Sequence, residues 1–185
     1  MKRLVLHATD TAQWQALVHE AEAAAECSLS EETESYLVFT LMRFVGRARL
    51  AKTSLALGYL AGLLQRGPLR RQGLRDVGDQ CLLYTGLFPD HALRGAVPLG
   101  YYVGLGKSAY LHLSDEPCGE LFRQLSRAFV EMMDVLQCMR ELDGKRRLGP
   151  LQAHALWLET GSRHALRTLR ETTRHAPLPA APRLH

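Results

Sequence analysis

The sequence PCGELFRQLSRAFVEMMDVLQCMREL occupies residues 117–142. Its apolar side chains recur at steps of three and four residues, at Leu121, Leu125, Ala128, Met132, Val135, Met139 and Leu142. This period matches an α-helix with one buried face, and the opening proline suits a first helical turn. The stretch therefore predicts one long helix over residues 117–142.

Six other segments share the helical period. They span about residues 10–26, 30–48, 50–65, 69–85, 99–113 and 150–171. Pairs such as Gly67-Pro68 and Gly149-Pro150 separate them, and no alternation of polar and apolar residues indicates a strand. We therefore predict an all-α fold, a single-domain bundle of six or seven helices over residues 1–171. Three prolines predict a disordered tail over residues 172–185.

Composition excludes two classes of protein. A content of 46% hydrophobic and 23% charged residues is globular rather than disordered. The longest apolar run, residues 55–64, is about half of the roughly twenty residues that a bilayer requires. Only three apolar residues, Leu4 to Leu6, follow the basic N-terminus, which is too few for a signal peptide. We therefore expect no membrane span and a cytoplasmic location.

Charge alternates along the chain. Residues 41–75 hold eight basic and no acidic side chains, whereas residues 76–143 hold ten acidic and five basic ones. Blocks of opposite sign can pair within one fold, and residues 41–64 are too apolar for a solvent-facing recognition helix. Nucleic-acid binding is therefore the least favoured function. Its candidate residues are Arg43, Arg47, Arg49, Lys52, Arg66, Arg70, Arg71 and Arg75.

The common signatures of catalytic and metal sites are incomplete. The segment Gly104-Leu-Gly-Lys-Ser108 ends like a phosphate-binding loop, but Tyr101 stands where the first glycine of that loop is required. No glutamate has a histidine three residues later, as di-iron bundles require. The four cysteines are widely spaced, and no G-x-S-x-G motif occurs. We therefore expect no catalytic residue, metal or cofactor.

Polar and aromatic residues are densest over residues 75–112. The candidate ligand-binding residues there are Asp76, Asp79, Tyr84, Tyr101, Tyr102, Lys107 and Tyr110. Asp76 and Asp79 lie beside apolar positions of one helix, so at least one carboxylate should be partly buried and need a partner. The favoured interpretation is structural, either an ion pair with an arginine of residues 41–75 or a cap for the glycine-rich loop. The alternative is a pocket for a polar ligand.

The same segment carries a resemblance. It reads Gly78-Asp79-x-x-Leu82-x-x-x-Gly86-x-Phe88-Pro89, then Tyr101-Tyr102-x-x-x-Gly106-x-x-Ala109-Tyr110. This pattern resembles part of a family of uncharacterised bacterial all-helical proteins. The resemblance covers about 35 residues of the chain and implies a shared fold but no activity. Leu87 departs from it, because an aromatic residue is usual there in that family.

The sequence favours a non-catalytic helical protein that binds a protein partner or a small ligand. An enzyme with an all-α site around Asp76, Asp79, Tyr84 and Tyr101 is the alternative. A homodimer is also expected. The apolar face of residues 117–142 extends to Met133, so it is wider than one neighbouring helix covers, and a second subunit would supply another helix. The dimer would form through this helix or through the small-residue face of Gly58 and Gly62.

Overall fold

The computed structural model describes residues 7–45, 54–90, 97–145 and 147–174. Regular structure within these ranges is entirely helical, which confirms the all-α class. The helices are α1 (His7–Ala25), α2 (Glu31–Val45), α3 (Leu55–Leu64), α4 (Gly67–Leu87), α5 (Leu99–Leu111), α6 (Gly119–Arg127), α7 (Phe129–Leu142), α8 (Pro150–Thr160) and α9 (Arg163–Arg174). None of these described helices is both long and apolar enough to cross a membrane.

The predicted count of six or seven helices is wrong for the described residues, because two predicted helices are each divided. The helix predicted over 117–142 breaks at Ala128, where ψ is 6° instead of the helical value near −42°. The helix predicted over 150–171 breaks at Gly161, whose φ of 75° is left-handed. The Gly161 N–H bonds to the Trp157 carbonyl at 2.8 Å, so this glycine ends α8.

Two other predictions concern residues that are only partly described. The predicted start of the third helix, residues 50–53, lies outside the described residues. The tail was predicted to begin at residue 172, but α9 continues to Arg174. The rest of the tail, residues 175–185, also lies outside the described part, so its disorder stays a prediction.

Helices α4 and α7 form the centre of the fold. Helix α4 packs against α3, α5 and α7, and α7 also contacts α1 and α9. Nine of the fourteen residues of α7 are buried, including Phe129, Met132, Met133, Val135 and Leu136. Helices of the same chain therefore cover most of α7.

Two glycines allow the central helices to approach closely. A Cβ atom on Gly78 of α4 would lie 2.4 Å from a ring carbon of Tyr110. One on Gly106 of α5 would lie 2.5 Å from ring carbons of Phe129. Both distances are far below van der Waals contact, so any side chain at these positions would displace a buried aromatic ring.

Parts of the two surfaces predicted for a homodimer pack within the chain. Met132 and Met133 are completely buried. The small-residue face of α3 packs against α4, since Gly58 faces Val77 and Gly62 faces Leu74. Leu142, at the end of the predicted apolar stripe, is 52% exposed. The homodimer and the surface that forms it stay predictions.

Replacing Gly106 with alanine should destabilise the protein, whereas replacing Gly104 in the same helix should not. Gly106→Ala forces a methyl group against Phe129 and should lower the free energy of unfolding by about 1–3 kcal/mol. No atom lies within 4 Å of a Cβ on Gly104, so Gly104→Ala should raise stability by up to about 1 kcal/mol. Urea denaturation measures both. Equal effects of the two substitutions would contradict the packing described for α5.

Candidate functional site

Asp79 lies at the centre of a buried polar cluster. Only 2% of this residue is exposed. Its Oδ1 accepts hydrogen bonds from the hydroxyls of Tyr36, at 2.6 Å, and Tyr110, at 2.7 Å. Its Oδ2 pairs with Nη2 of Arg43, whose Nη1 lies 3.7 Å from a carboxylate oxygen of Asp76. Of the two structural interpretations of Asp79, an ion pair with an arginine of residues 41–75 and a cap for the loop, the structure shows the ion pair.

Burial controls the protonation of this cluster. It raises the pKa of Asp79, although the tyrosine hydroxyls and Arg43 act in the opposite direction. Burial and the negative charge of Asp79 also raise the pKa values of Tyr36 and Tyr110, which keeps both phenols protonated as donors. Both oxygens of Asp79 are thus occupied by side chains of the protein itself.

The other predicted site residues lie elsewhere. Tyr84 and Tyr101 each pack edge-on against Tyr102, with ring centroids 5.1 and 5.5 Å away. Burial raises the pKa of Tyr102. The backbone carbonyl of Lys107 accepts the Ser126 hydroxyl at 2.9 Å. Contacts among the described residues thus join Asp76, Asp79 and Tyr110 in one group and the other three tyrosines in a second.

Apart from these clusters, a cleft lies among α1, α2, the end of α4 and the end of α7. Its volume is about 710 Å³, and one side is open to solvent. The apolar side chains that line it are those of Trp14, Leu17, Leu41, Phe44, Leu87, Phe88, Met139 and Leu142. None of the seven predicted ligand-binding residues lines this cleft.

The aromatic and aliphatic wall of the cleft comes from helices distant in sequence. Trp14 and Leu17 lie about one turn apart on α1, so they share a face. Phe44 of α2 contacts Phe88, which follows α4, with ring centroids 5.8 Å apart. Leu17 is 44% exposed at the opening of the cleft. Leu17 and Leu142, which is 52% exposed, are therefore accessible to a molecule that enters from solvent, whereas Leu41 is only 1% exposed.

Five charged side chains also line the cleft: Glu20, Asp90, Arg140, Asp143 and Lys145. Buried Arg140 donates from Nη1 to Oδ2 of Asp90 at 2.9 Å. Three acidic and two basic groups give the lining a formal charge of −1. The cleft thus combines an apolar wall with a weakly acidic edge.

The cleft has no signature in the sequence because its residues are spread along the chain. Of the segment 75–112, only Leu87, Phe88 and Asp90 contribute to it. The other lining residues come from residues 14–44 and 139–145. In the sequence each of these residues occupies an ordinary position of a helix. The space between them exists only because of the way the helices pack.

A second buried carboxylate, that of Asp134, holds the start of α9. Its Oδ1 accepts the Ser162 hydroxyl at 2.6 Å, and its Oδ2 accepts the backbone N–H of His164 at 3.1 Å. Burial raises the pKa of Asp134 against the effect of these hydrogen bonds. The free N–H groups at a helix start need acceptors, so Asp134 of α7 fixes the position of α9.

His164 connects a thiol to a carboxylate beside this cap. Its Nδ1 lies 3.3 Å from Sγ of Cys138, and its Nε2 lies 2.9 Å from Oε1 of Glu141. A cysteine, histidine and acid in this order occur in thiol catalysis. Cys138 and His164 are nevertheless each only 2% exposed, and neither lines the cleft. This arrangement therefore contributes to stability rather than meeting a substrate.

Three comparisons, with protein-family models, with curated proteins and with solved structures, found no match for this chain.

Stability should fall as pH rises from about 6.5 to 9 because of His164. Burial lowers the pKa of His164, but hydrogen bonds to Cys138 and Glu141 and their charges raise it overall from 6.5 to about 9. The protonated ring therefore contributes stability that is complete below the unfolded-state pKa and is lost as pH approaches 9. The loss should be on the order of 3 kcal/mol.

Urea denaturation at pH 6.5, 7.5 and 8.5 follows this loss. The variant His164→Gln lacks the titrating group and provides the control. Its stability should change much less over the same range. The assignment is refuted if the native protein and this variant show the same dependence on pH.

Proposed function

We propose that this protein binds a small, predominantly apolar molecule in the cleft among α1, α2, α4 and α7. The observation that carries the proposal is the cleft itself. Its volume of about 710 Å³ falls within the roughly 300–1,000 Å³ of small-molecule sites. Such sites are lined mainly by apolar and aromatic side chains with a few polar groups, and this cleft has both.

The apolar wall supports a ligand with a hydrophobic body. Trp14, Phe44 and Phe88 provide three aromatic rings, and aliphatic side chains and Met139 complete the wall. Transfer of apolar surface from water into such a cleft contributes about 25 cal/mol per Å². Methionine is flexible and polarisable, so Met139 can adapt to a ligand of irregular shape.

The charges at the cleft favour a neutral or cationic ligand over an anionic one. Asp90 already pairs with Arg140. Of the remaining charged lining residues, Glu20 and Asp143 are acidic and Lys145 is basic. An anion would meet a net negative edge, which disfavours its approach. The cleft thus supports an apolar ligand instead of the polar ligand that the sequence left open as an alternative at Asp76 and Asp79.

The contacts of the described residues support the other functions less well. An enzyme built around Asp79 would need a carboxylate oxygen that is free to meet a substrate. Both oxygens of Asp79 already bond to side chains of the protein, Tyr36 at Oδ1 and Arg43 at Oδ2. For nucleic-acid binding, Arg70 and Arg71 already pair with Glu116. Arg47, Arg49 and Lys52 of that basic set lie outside the described residues.

The test uses the neutral apolar probe N-phenyl-1-naphthylamine and the fluorescence of Trp14. The chain has two tryptophans, so Trp157→Phe leaves Trp14 as the sole donor of energy to a bound probe. We expect saturable binding with energy transfer from Trp14. In the same background, Leu17→Arg places a charge at the opening of the cleft and should weaken binding at least about tenfold.

The matched control is Leu158→Arg on α8. Leu158 is exposed like Leu17 but does not line the cleft, so its replacement should leave the affinity within about twofold. The anionic probe 8-anilinonaphthalene-1-sulfonate should bind more weakly than the neutral one. Absence of saturable binding, or equal affinities of the two arginine variants, would overturn the proposal.

A further inference from the structure

Three potential metal ligands meet between α1 and α2, away from the cleft. His19 and Glu22 lie three residues apart on α1, and Glu34 lies in the first turn of α2. The His19 Nδ1 is 3.1 Å from Oε2 of Glu22, and its Nε2 is 3.3 Å from Oε1 of Glu34. One ligand atom from each residue can be chosen so that all three lie within 4.8 Å of one another.

The two carboxylates of this cluster carry more negative charge than the neighbouring side chains neutralise. The Glu22 side chain is only 9% exposed, and that of Glu34 is nearly as buried. Among the residues that the structure describes, neither carboxylate forms an ion pair with a lysine or arginine, and both face the single imidazole of His19. Buried carboxylates are costly unless cations compensate them. A divalent ion would supply the missing positive charge.

We propose that His19, Glu22 and Glu34 form a binding site for a divalent transition-metal ion of the zinc class. One imidazole nitrogen and two carboxylate oxygens are ligands that Zn²⁺ accepts, and the nitrogen favours it over Mg²⁺ or Ca²⁺. Three protein ligands leave a fourth position for water. The His19 side chain is 57% exposed, so that position faces solvent.

Only small movements are needed for coordination. Ligands about 2.1 Å from a tetrahedral ion lie about 3.4 Å apart, and the present ligand atoms already lie within 4.8 Å. One nitrogen of the exposed His19 ring must turn to face both carboxylates. The spacing of three residues places His19 and Glu22 on one side of α1, which allows both to reach the same ion.

Neighbouring hydrogen bonds already orient the two carboxylates. The backbone N–H of Leu29 donates to Oε1 of Glu22 at 2.7 Å, which leaves Oε2 directed at His19. The Gln15 side-chain amide donates to Oε1 of Glu34 at 3.2 Å. Partners of this kind hold ligands in place around metals and strengthen binding. None of these five residues lines the cleft, so the metal site is independent of the proposed function.

Isothermal titration of the chelator-treated full chain with ZnCl₂ tests the site. We expect about one Zn²⁺ bound per chain and a higher melting temperature in its presence. His19→Ala and Glu34→Gln should each weaken this binding at least about tenfold and remove the thermal shift. These two positions are chosen because Glu22 also accepts the Leu29 N–H, so its loss could impair folding.

Three variants serve as controls. Glu32→Gln alters an exposed acid beside the site, and His154→Ala and Cys118→Ser remove an exposed imidazole and an exposed thiol elsewhere. All three should keep the affinity within about twofold. The proposal is overturned if the native chain binds no Zn²⁺, if His19→Ala binds it equally well, or if the controls lose as much affinity as the site variants.

Discussion

Three helices meet at the carboxylate of Asp79. Helix α4 contributes Asp79 itself, α2 contributes Tyr36 and Arg43, and α5 contributes Tyr110. A carboxylate removed from water requires partners for both oxygens, and each of these partners comes from a different helix than Asp79. The neighbouring Gly78 allows the Tyr110 ring to lie against the backbone of α4. The polar contacts of Asp79 and the close packing at Gly78 thus limit the movement of these helices at the same place.

Helix α2 links this cluster to the cleft. Arg43 pairs with Asp79, and the next residue of α2, Phe44, forms part of the cleft wall. Phe88, which follows α4, contacts the Phe44 ring. A shift of α2 would therefore change the cleft as well as the core.

The helical class and a buried carboxylate at Asp76 or Asp79 could be predicted from the sequence because both depend on local pattern. Periodicity identified the helices, and carboxylates among apolar positions indicated either an ion pair with an arginine or a cap for the loop. The break at Gly161 could also have been recognised, since a glycine followed by serine is typical of one helix ending and another starting. The break at Ala128 could not, because the apolar period continues through it.

The cleft and the proposed metal site depend on tertiary placement. Trp14 and Met139 are far apart in sequence, and no local pattern indicates the space between them. The di-iron pattern has a glutamate followed three residues later by a histidine, whereas here His19 precedes Glu22 and the third residue of the cluster comes from α2. The fold class could therefore be predicted from periodicity, but the location of a site required the contacts between helices.

Urea denaturation of two variants shows whether the Asp79 carboxylate holds α2, α4 and α5 together. Asp79→Asn leaves Arg43 facing an amide and should lower the free energy of unfolding by about 3 kcal/mol. Asp76→Asn alters a carboxylate that is 32% exposed and 3.7 Å from the same arginine, so it should cost less than about 1 kcal/mol. An Asp79→Asn protein as stable as the Asp76→Asn protein would contradict the account.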